Sequence, residues 1–137
     1  MGSERIQYVV KEKTMEVPGV TTLFLTDEQD NVPPFTPGQY ITVYFPELST
    51  PEGKAYSISS APRESTFSIT VRNIGEFSGR LCSLSPGDTV LASLPYGFFN
   101  PEYEDSDLVL IAGGIGISPF RSILRNAITQ NPTRRIF

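Results

Sequence analysis

Residues 5–103 alternate between short apolar-patterned runs and turn chemistry. The clearest run is Gln39–Phe45. Tyr40, Thr42 and Tyr44 fall on one side and Ile41, Val43 and Phe45 on the other, the period-two pattern of a half-buried strand. Val20–Thr26 is rich in β-branched and aromatic residues, and Lys54–Ser59, Thr66–Asn73 and Thr89–Pro95 read as further short strands. Arg5–Thr14 is a more mixed run. Asp27–Gly38, Pro46–Gly53 and Pro86-Gly87-Asp88 separate them with proline, glycine and aspartate. Ser78–Ser85 breaks the period: Leu81 and Leu84 with Cys82 fit a short helix capped by Ser78 and stopped by Pro86. About six strands at regular spacing, with one helix between the last two, predict a mainly β fold, a closed antiparallel barrel.

The last thirty residues have a different pattern. Asp107–Ala112 contains the continuous apolar run Leu108-Val109-Leu110-Ile111, which predicts a strand buried on both faces, as in a parallel sheet. Gly113-Gly114-Ile115-Gly116 follows, and Ser118 is placed as N-cap with Pro119 at the first helical position. Phe120, Ile123, Leu124, Ala127 and Ile128 recur with helical spacing up to the stop at Asn131-Pro132. Arg134–Phe137 reads as the opening of another strand. This predicts an incomplete α/β tail, a single strand–loop–helix unit that cannot cover both faces of its own strand. The expected division is residues 5–105 for the barrel and 106–137 for the start of an α/β domain. Residues 1–4 read as a cloning scar or a disordered leader.

Charge follows the same division. Residues 1–107 carry seven Lys/Arg and all fifteen acids, a balance of −8; residues 108–137 carry four arginines and no acid, +4. The total of −4 argues against a nucleic-acid surface. Histidine is absent and Cys82 is the one cysteine, which excludes a Ser-His-Asp or Cys-His nucleophilic site, a Cys/His zinc site and a cysteine-ligated iron–sulfur cluster. No apolar run reaches bilayer-spanning length and no signal peptide opens the chain, so no membrane partner and a cytoplasmic location are expected. Any chemistry here would come from a bound cofactor or from carboxylates, or be absent.

Four stretches could receive one. Gly113–Pro119 lets backbone approach a ligand and offers an anion the free N–H groups of a helix start; Pro119 breaks the G-x-G-x-x-G fingerprint, and a plain βα turn explains it equally well. Lys54-Ala55-Tyr56-Ser57 sets a cation, a ring and a hydroxyl within four residues; it also fits an ordinary strand. Val71-Arg72, followed by Gly75-Glu76-Phe77-Ser78, places a cation beside a glycine turn and a helix start. Leu94–Phe99 holds three aromatics around Pro95 and Gly97.

The order of these motifs along essentially the whole chain resembles the ferredoxin–NADP⁺ reductase superfamily. That resemblance implies an N-terminal six-stranded Greek-key barrel that binds flavin, FAD or alternatively FMN, followed by an α/β domain that takes NAD(P)H. It implies an enzyme passing a hydride from nicotinamide to flavin and electrons onward to an acceptor. Lys54, Ala55, Tyr56 and Ser57 match the family's Arg-x-Tyr-Ser/Thr motif, with the cation on the flavin phosphates, the tyrosine beside the flavin and the hydroxyl near the ring's N5 edge. Lysine stands where arginine is usual, keeping the charge but not the bidentate fork. Val71, Arg72, Gly75, Glu76, Phe77 and Ser78 match the phosphate-binding stretch. Gly113, Gly114, Gly116, Ser118 and Pro119 match the loop that opens the nicotinamide domain, and Ser118's position, with Ser57's, lies near hydride transfer. Leu94 stands where the G-P-x-G turn has its first glycine.

Strand alternation separates Lys54 and Tyr56 from Ser57, so one ligand reaches all three only by wrapping the strand or using its backbone. The rest of the nicotinamide domain is missing, so the chain is expected to be a fragment that binds flavin but turns over little NAD(P)H. The bare apolar faces of residues 107–137 predict self-association. Two other readings stay open: a non-catalytic flavin or electron-transfer module, and a cofactor-free barrel serving as a protein-interaction domain.

Overall fold

The computed structural model describes residues 4–101 and 105–137. Met1-Gly2-Ser3 and residues 102–104, just before the boundary expected at 105/106, lie outside that description. Six antiparallel strands form one sheet: β1 Arg5–Val17, β2 Val20–Asp27, β3 Tyr40–Tyr44, β4 Lys54–Ser57, β5 Phe67–Arg72 and β6 Thr89–Ser93. Their order is β4-β3-β6-β1-β2-β5. A bridge between Ile58 and Ile69 joins the two outer strands and closes the ring. β1–β2 and β3–β4 are hairpins, whereas the β2–β3 and β5–β6 connections pass to strands that are not neighbours, a Greek-key path. The expected mainly β barrel is the observed one.

The period-two pattern explains the core. Ile41 and Val43 on β3, Leu23 and Leu25 on β2, and Phe67, Ile69 and Val71 on β5 all point inward and are fully buried. Tyr8 meets Phe67 edge to face, with ring centroids 5.0 Å apart. α1 (Glu76–Cys82) plugs one end by adding Phe77 and Leu81 to this core, joined by Leu84 beyond its C-terminus.

β1 runs three residues past its expected end. Beyond Val10 it pairs with β2 alone, so its far half is exposed or half-buried on both faces and carries no alternation to read. The turn at Pro18-Gly19, where Gly19 has φ +80°, sends the chain back. β4 is shorter than expected, ending at Ser57, and beyond it only Ile58 bridges to β5.

Both helix starts correct the expectation. α1 begins at Glu76, with extended Gly75 as its N-cap, so Ser78 lies inside the helix. The Ser78 hydroxyl accepts the Ile74 N–H at 2.9 Å and so fixes the turn that enters the helix. α2 (Ser118–Gln130) is preceded by a 3₁₀ turn at Gly114–Ile117. That turn gives Ile117 helical backbone already, making it the N-cap and Ser118 the first helical residue. The Ser118 hydroxyl turns back to donate to Ile115 O at 2.8 Å.

The expected strand at Asp107–Ala112 is reduced to one bridge, Leu108 to Ile136, which is parallel. Leu108 N donates to Arg135 O, Phe137 N to Leu108 O and Leu110 N to Phe137 O. Parallel segments joined through a helix form the βαβ connection that a parallel pairing requires. Burial on both faces is not observed: Leu108 is covered, while Val109 and Ile111 are 65% and 87% exposed.

Candidate functional site

β4 has a paired neighbour, β3, along one edge only. Along Lys54–Ser57 its other edge diverges from β5 and leaves a seam open above the Ile58–Ile69 bridge. A groove of about 400 Å³ fills that seam. β4 contributes Lys54, Ala55, Tyr56 and Ser57; β5 contributes Thr70 and Arg72; Ile74 and Ser78 come from the entry to α1. Ile115, Gly116, Ser118 and Pro119 form the opposite wall. An unpaired strand edge presents backbone as well as side chains, which is how residues from both faces of β4 line one groove. A second hollow of about 590 Å³ shares Thr70, Arg72, Ile115 and Ser118 with the first and continues past Gly114 and Arg121.

Tyr56 is half-buried and lies nearly parallel to Phe77, at 20° and 6.4 Å between centroids. Phe77 in turn packs on Phe45 at 5.0 Å. Burial, with the Cys82 sulfur a smaller contributor, pushes the Tyr56 phenol up to about 12. Its ring is therefore neutral near pH 7 and does not repel an anionic ligand. Lys54 Nζ stands 5.6 Å from the centroid of the Phe77 ring. Among the described residues neither Lys54 nor Arg72 has an ion-pair partner. The groove lining contains two cations, three serine hydroxyls, one threonine hydroxyl and no carboxylate.

These features suit a flat ligand carrying negative charge. The serine and threonine hydroxyls of the lining have no carboxylate or imidazole beside them among the groove residues. Cys82 lies behind Tyr56, donates weakly to Val71 O at 3.8 Å, and has its thiol pushed up by burial, so it stays protonated.

Nine sequence-predicted residues thus meet: Lys54, Ala55, Tyr56, Ser57, Arg72, Ser78, Gly116, Ser118 and Pro119. Others sit elsewhere. Val71 and Phe77 turn their side chains into the core. Glu76 is exposed and accepts a hydrogen bond from the Ser49 hydroxyl at 3.2 Å. Gly114 lines the second hollow. Gly75 and Gly113 are exposed, with open space where a Cβ would project. Thr70, Ile74 and Ile115 were missed. Thr70 was legible, since Ser68, Thr70 and Arg72 alternate along β5; nothing in the sequence marked Ile74.

No family model matches the sequence. The chain is 33% identical over 134 residues to a flavohemoprotein of Bacillus subtilis, covering 94% of this chain and 34% of that one. It is 38% identical over 97 residues to the sulfhydrogenase 1 gamma subunit of Pyrococcus furiosus, covering 69% of this chain and 32% of that one. Its fold superimposes with TM-score 0.83 and 26% identity on a phthalate dioxygenase reductase described as a modular structure for electron transfer from pyridine nucleotides to [2Fe-2S], covering 96% of this chain and 42% of that one. The chain spans about a third of the length of the curated relatives it matches.

Proposed function

For a chain that belongs to the ferredoxin–NADP⁺ reductase superfamily, we propose that the seam between β4 and β5 binds a flavin, FAD in the first instance, as the cofactor of an NAD(P)H-dependent oxidoreductase. The observation that carries this is one groove that joins two cations without an ion-pair partner among the described residues, a neutral half-buried tyrosine ring and serine hydroxyls, with no acid in its lining. The fit is one of shape and charge. Arg72 and Lys54 lie together where a phosphate would be neutralised. Tyr56 offers a flat face stiffened from behind by Phe77. Ser57 and the open backbone of β4 can meet the polar edge of a ring.

A bound flavin would supply the one- and two-electron chemistry that these side chains lack. The protein's part is to bind, orient and keep water from the ring. Gly113–Pro119, opposite Ser57, would form the nicotinamide side of the groove. We further assign residues 5–105 to the flavin-binding unit and 106–137 to the start of the nicotinamide-binding one.

The test is a FAD titration followed by visible absorbance, with Tyr56→Ala and Arg72→Met. Loss of the tyrosine ring is expected to weaken binding roughly 10-fold or more, in keeping with the energy of a buried aromatic contact. Wild-type affinity retained in both variants overturns the assignment of the groove.

A further inference from the structure

We infer that Arg121 is a positioning residue that sets the separation of Ser57 and Ser118 across the groove; this rests on the flavin reading above for its consequence, though not for its geometry. Ser118 and Arg121 lie three residues apart on one face of α2, and Ser57 and Ser59 lie two apart along the chain leaving β4. Arg121 Nη1 donates to Ser59 O at 2.7 Å, and Ser57 and Ser118 line the same groove. The brace therefore ties the helix that carries one wall to the segment that carries the other, one step beyond each serine.

The anchor at the barrel end is rigid. Ser59 is buried, its N–H donates to Ser68 O at 2.8 Å, and its hydroxyl meets the Ser68 hydroxyl at 2.8 Å and accepts from Thr70 Oγ1 at 3.1 Å. The opposite wall lies against β5 without being hydrogen-bonded to it among the described residues. Among the described residues, the hydrogen bonds of Gly113–Ile117 are local, Gly116 N to Gly113 O and the Ser118 hydroxyl to Ile115 O, and none reaches the barrel. Among the described residues, hydrogen bonding ties the loop to the barrel only through α2. Its other ties, Arg125 to Glu64 and the Phe99–Phe120 ring contact at 5.7 Å, act farther along the helix or on another side of it. A charged donor on a fixed carbonyl is the stronger kind of hydrogen bond.

The experiment compares wild type, Arg121→Met, Arg121→Lys and Lys11→Met, the last removing a distant surface ion pair as a control. Amide hydrogen exchange of residues 113–118 is measured without ligand, and FAD affinity together with the visible circular dichroism of bound FAD is measured separately. Arg121→Met is expected to speed exchange at 113–118 about 10-fold, weaken FAD about 10-fold and change the dichroism of the bound ring. Arg121→Lys, which keeps one donor for the one carbonyl, is expected to recover FAD affinity to within about 3-fold of wild type. Lys11→Met should match wild type in every reading. Unchanged exchange at 113–118 in Arg121→Met overturns the inference. So does faster exchange with FAD affinity and dichroism unmoved. A wild-type protein that takes no FAD overturns the flavin reading instead, and ligand-free exchange then decides the brace by itself.

Discussion

Gly38 shows how much one backbone position carries. Its φ is +97°, and a Cβ there would lie 1.6 Å from Phe99 O. The neighbouring Gly97, φ +114°, admits the Tyr40 ring in the same way. Gly38→Ala is therefore expected to destabilise the fold by roughly 2–3 kcal/mol, read from the urea midpoint, because strain and overlap add. Tyr8 and Tyr56 carry part of the alkaline pH dependence. Burial pushes both phenols up to about 12, against an unfolded value near 10. The neutral form is thus favoured in the native state. Its contribution to stability is complete below about pH 10 and is lost as pH rises from about 10 to about 12. Tyr8→Phe, which removes one of the two phenols, should flatten part of that alkaline fall. Circular dichroism during urea unfolding at pH 8 and at pH 11 checks it.

α1 matters as a plug. Its seven residues are too few to be helical alone, so the helix exists because Phe77 and Leu81 complete the barrel's core. Leu81→Ala should cost about 2–5 kcal/mol, the range for a fully buried leucine. Because Phe77 backs Tyr56, the same variant is expected to loosen flavin binding at temperatures where the barrel stays folded. Thermal melting paired with a FAD titration separates the two effects. β4 matters for the opposite reason. It is left half-paired, and its free edge makes the groove. The alternation of β3 and the core face of β5 were legible in the sequence because apolar side chains fill the core face and polar ones the other. β1's outer half was not, since it is exposed or half-buried on both faces.

The barrel and the tail differ in how well they are covered. The barrel closes on itself, whereas Val109, Ile111 and Phe137 are each more than half exposed. Apolar surface of this kind favours association. The isolated chain is expected to form dimers or larger species at micromolar concentration through residues 107–137. Light scattering of wild type against Val109→Ser/Ile111→Ser checks it, the double variant shifting toward monomer. A monomeric wild type counts against it. The tail's arginines are already engaged within the chain: Arg121 on Ser59, Arg125 on Glu64 and Arg135 on Asp107. Of these, Arg121 and Arg125 reach the barrel, whereas Arg135 pairs within the tail.

Hydrophobic period, turn residues and motif order determined the barrel, its single helix, the βα tail and nine of the residues that meet in the groove. These are local properties, readable because burial on one face imposes a period and tight turns demand glycine or proline. What only the folded chain decided is which strand edge stays unpaired, which side chains of a motif turn inward, and what holds the far wall. Lys54, Tyr56 and Ser57 could share a ligand only once β4 was seen to lack a partner along one edge. Val71 and Phe77 left the site because the core needed them. Arg121 entered it through a bond to Ser59, across a separation in sequence that no local pattern encodes.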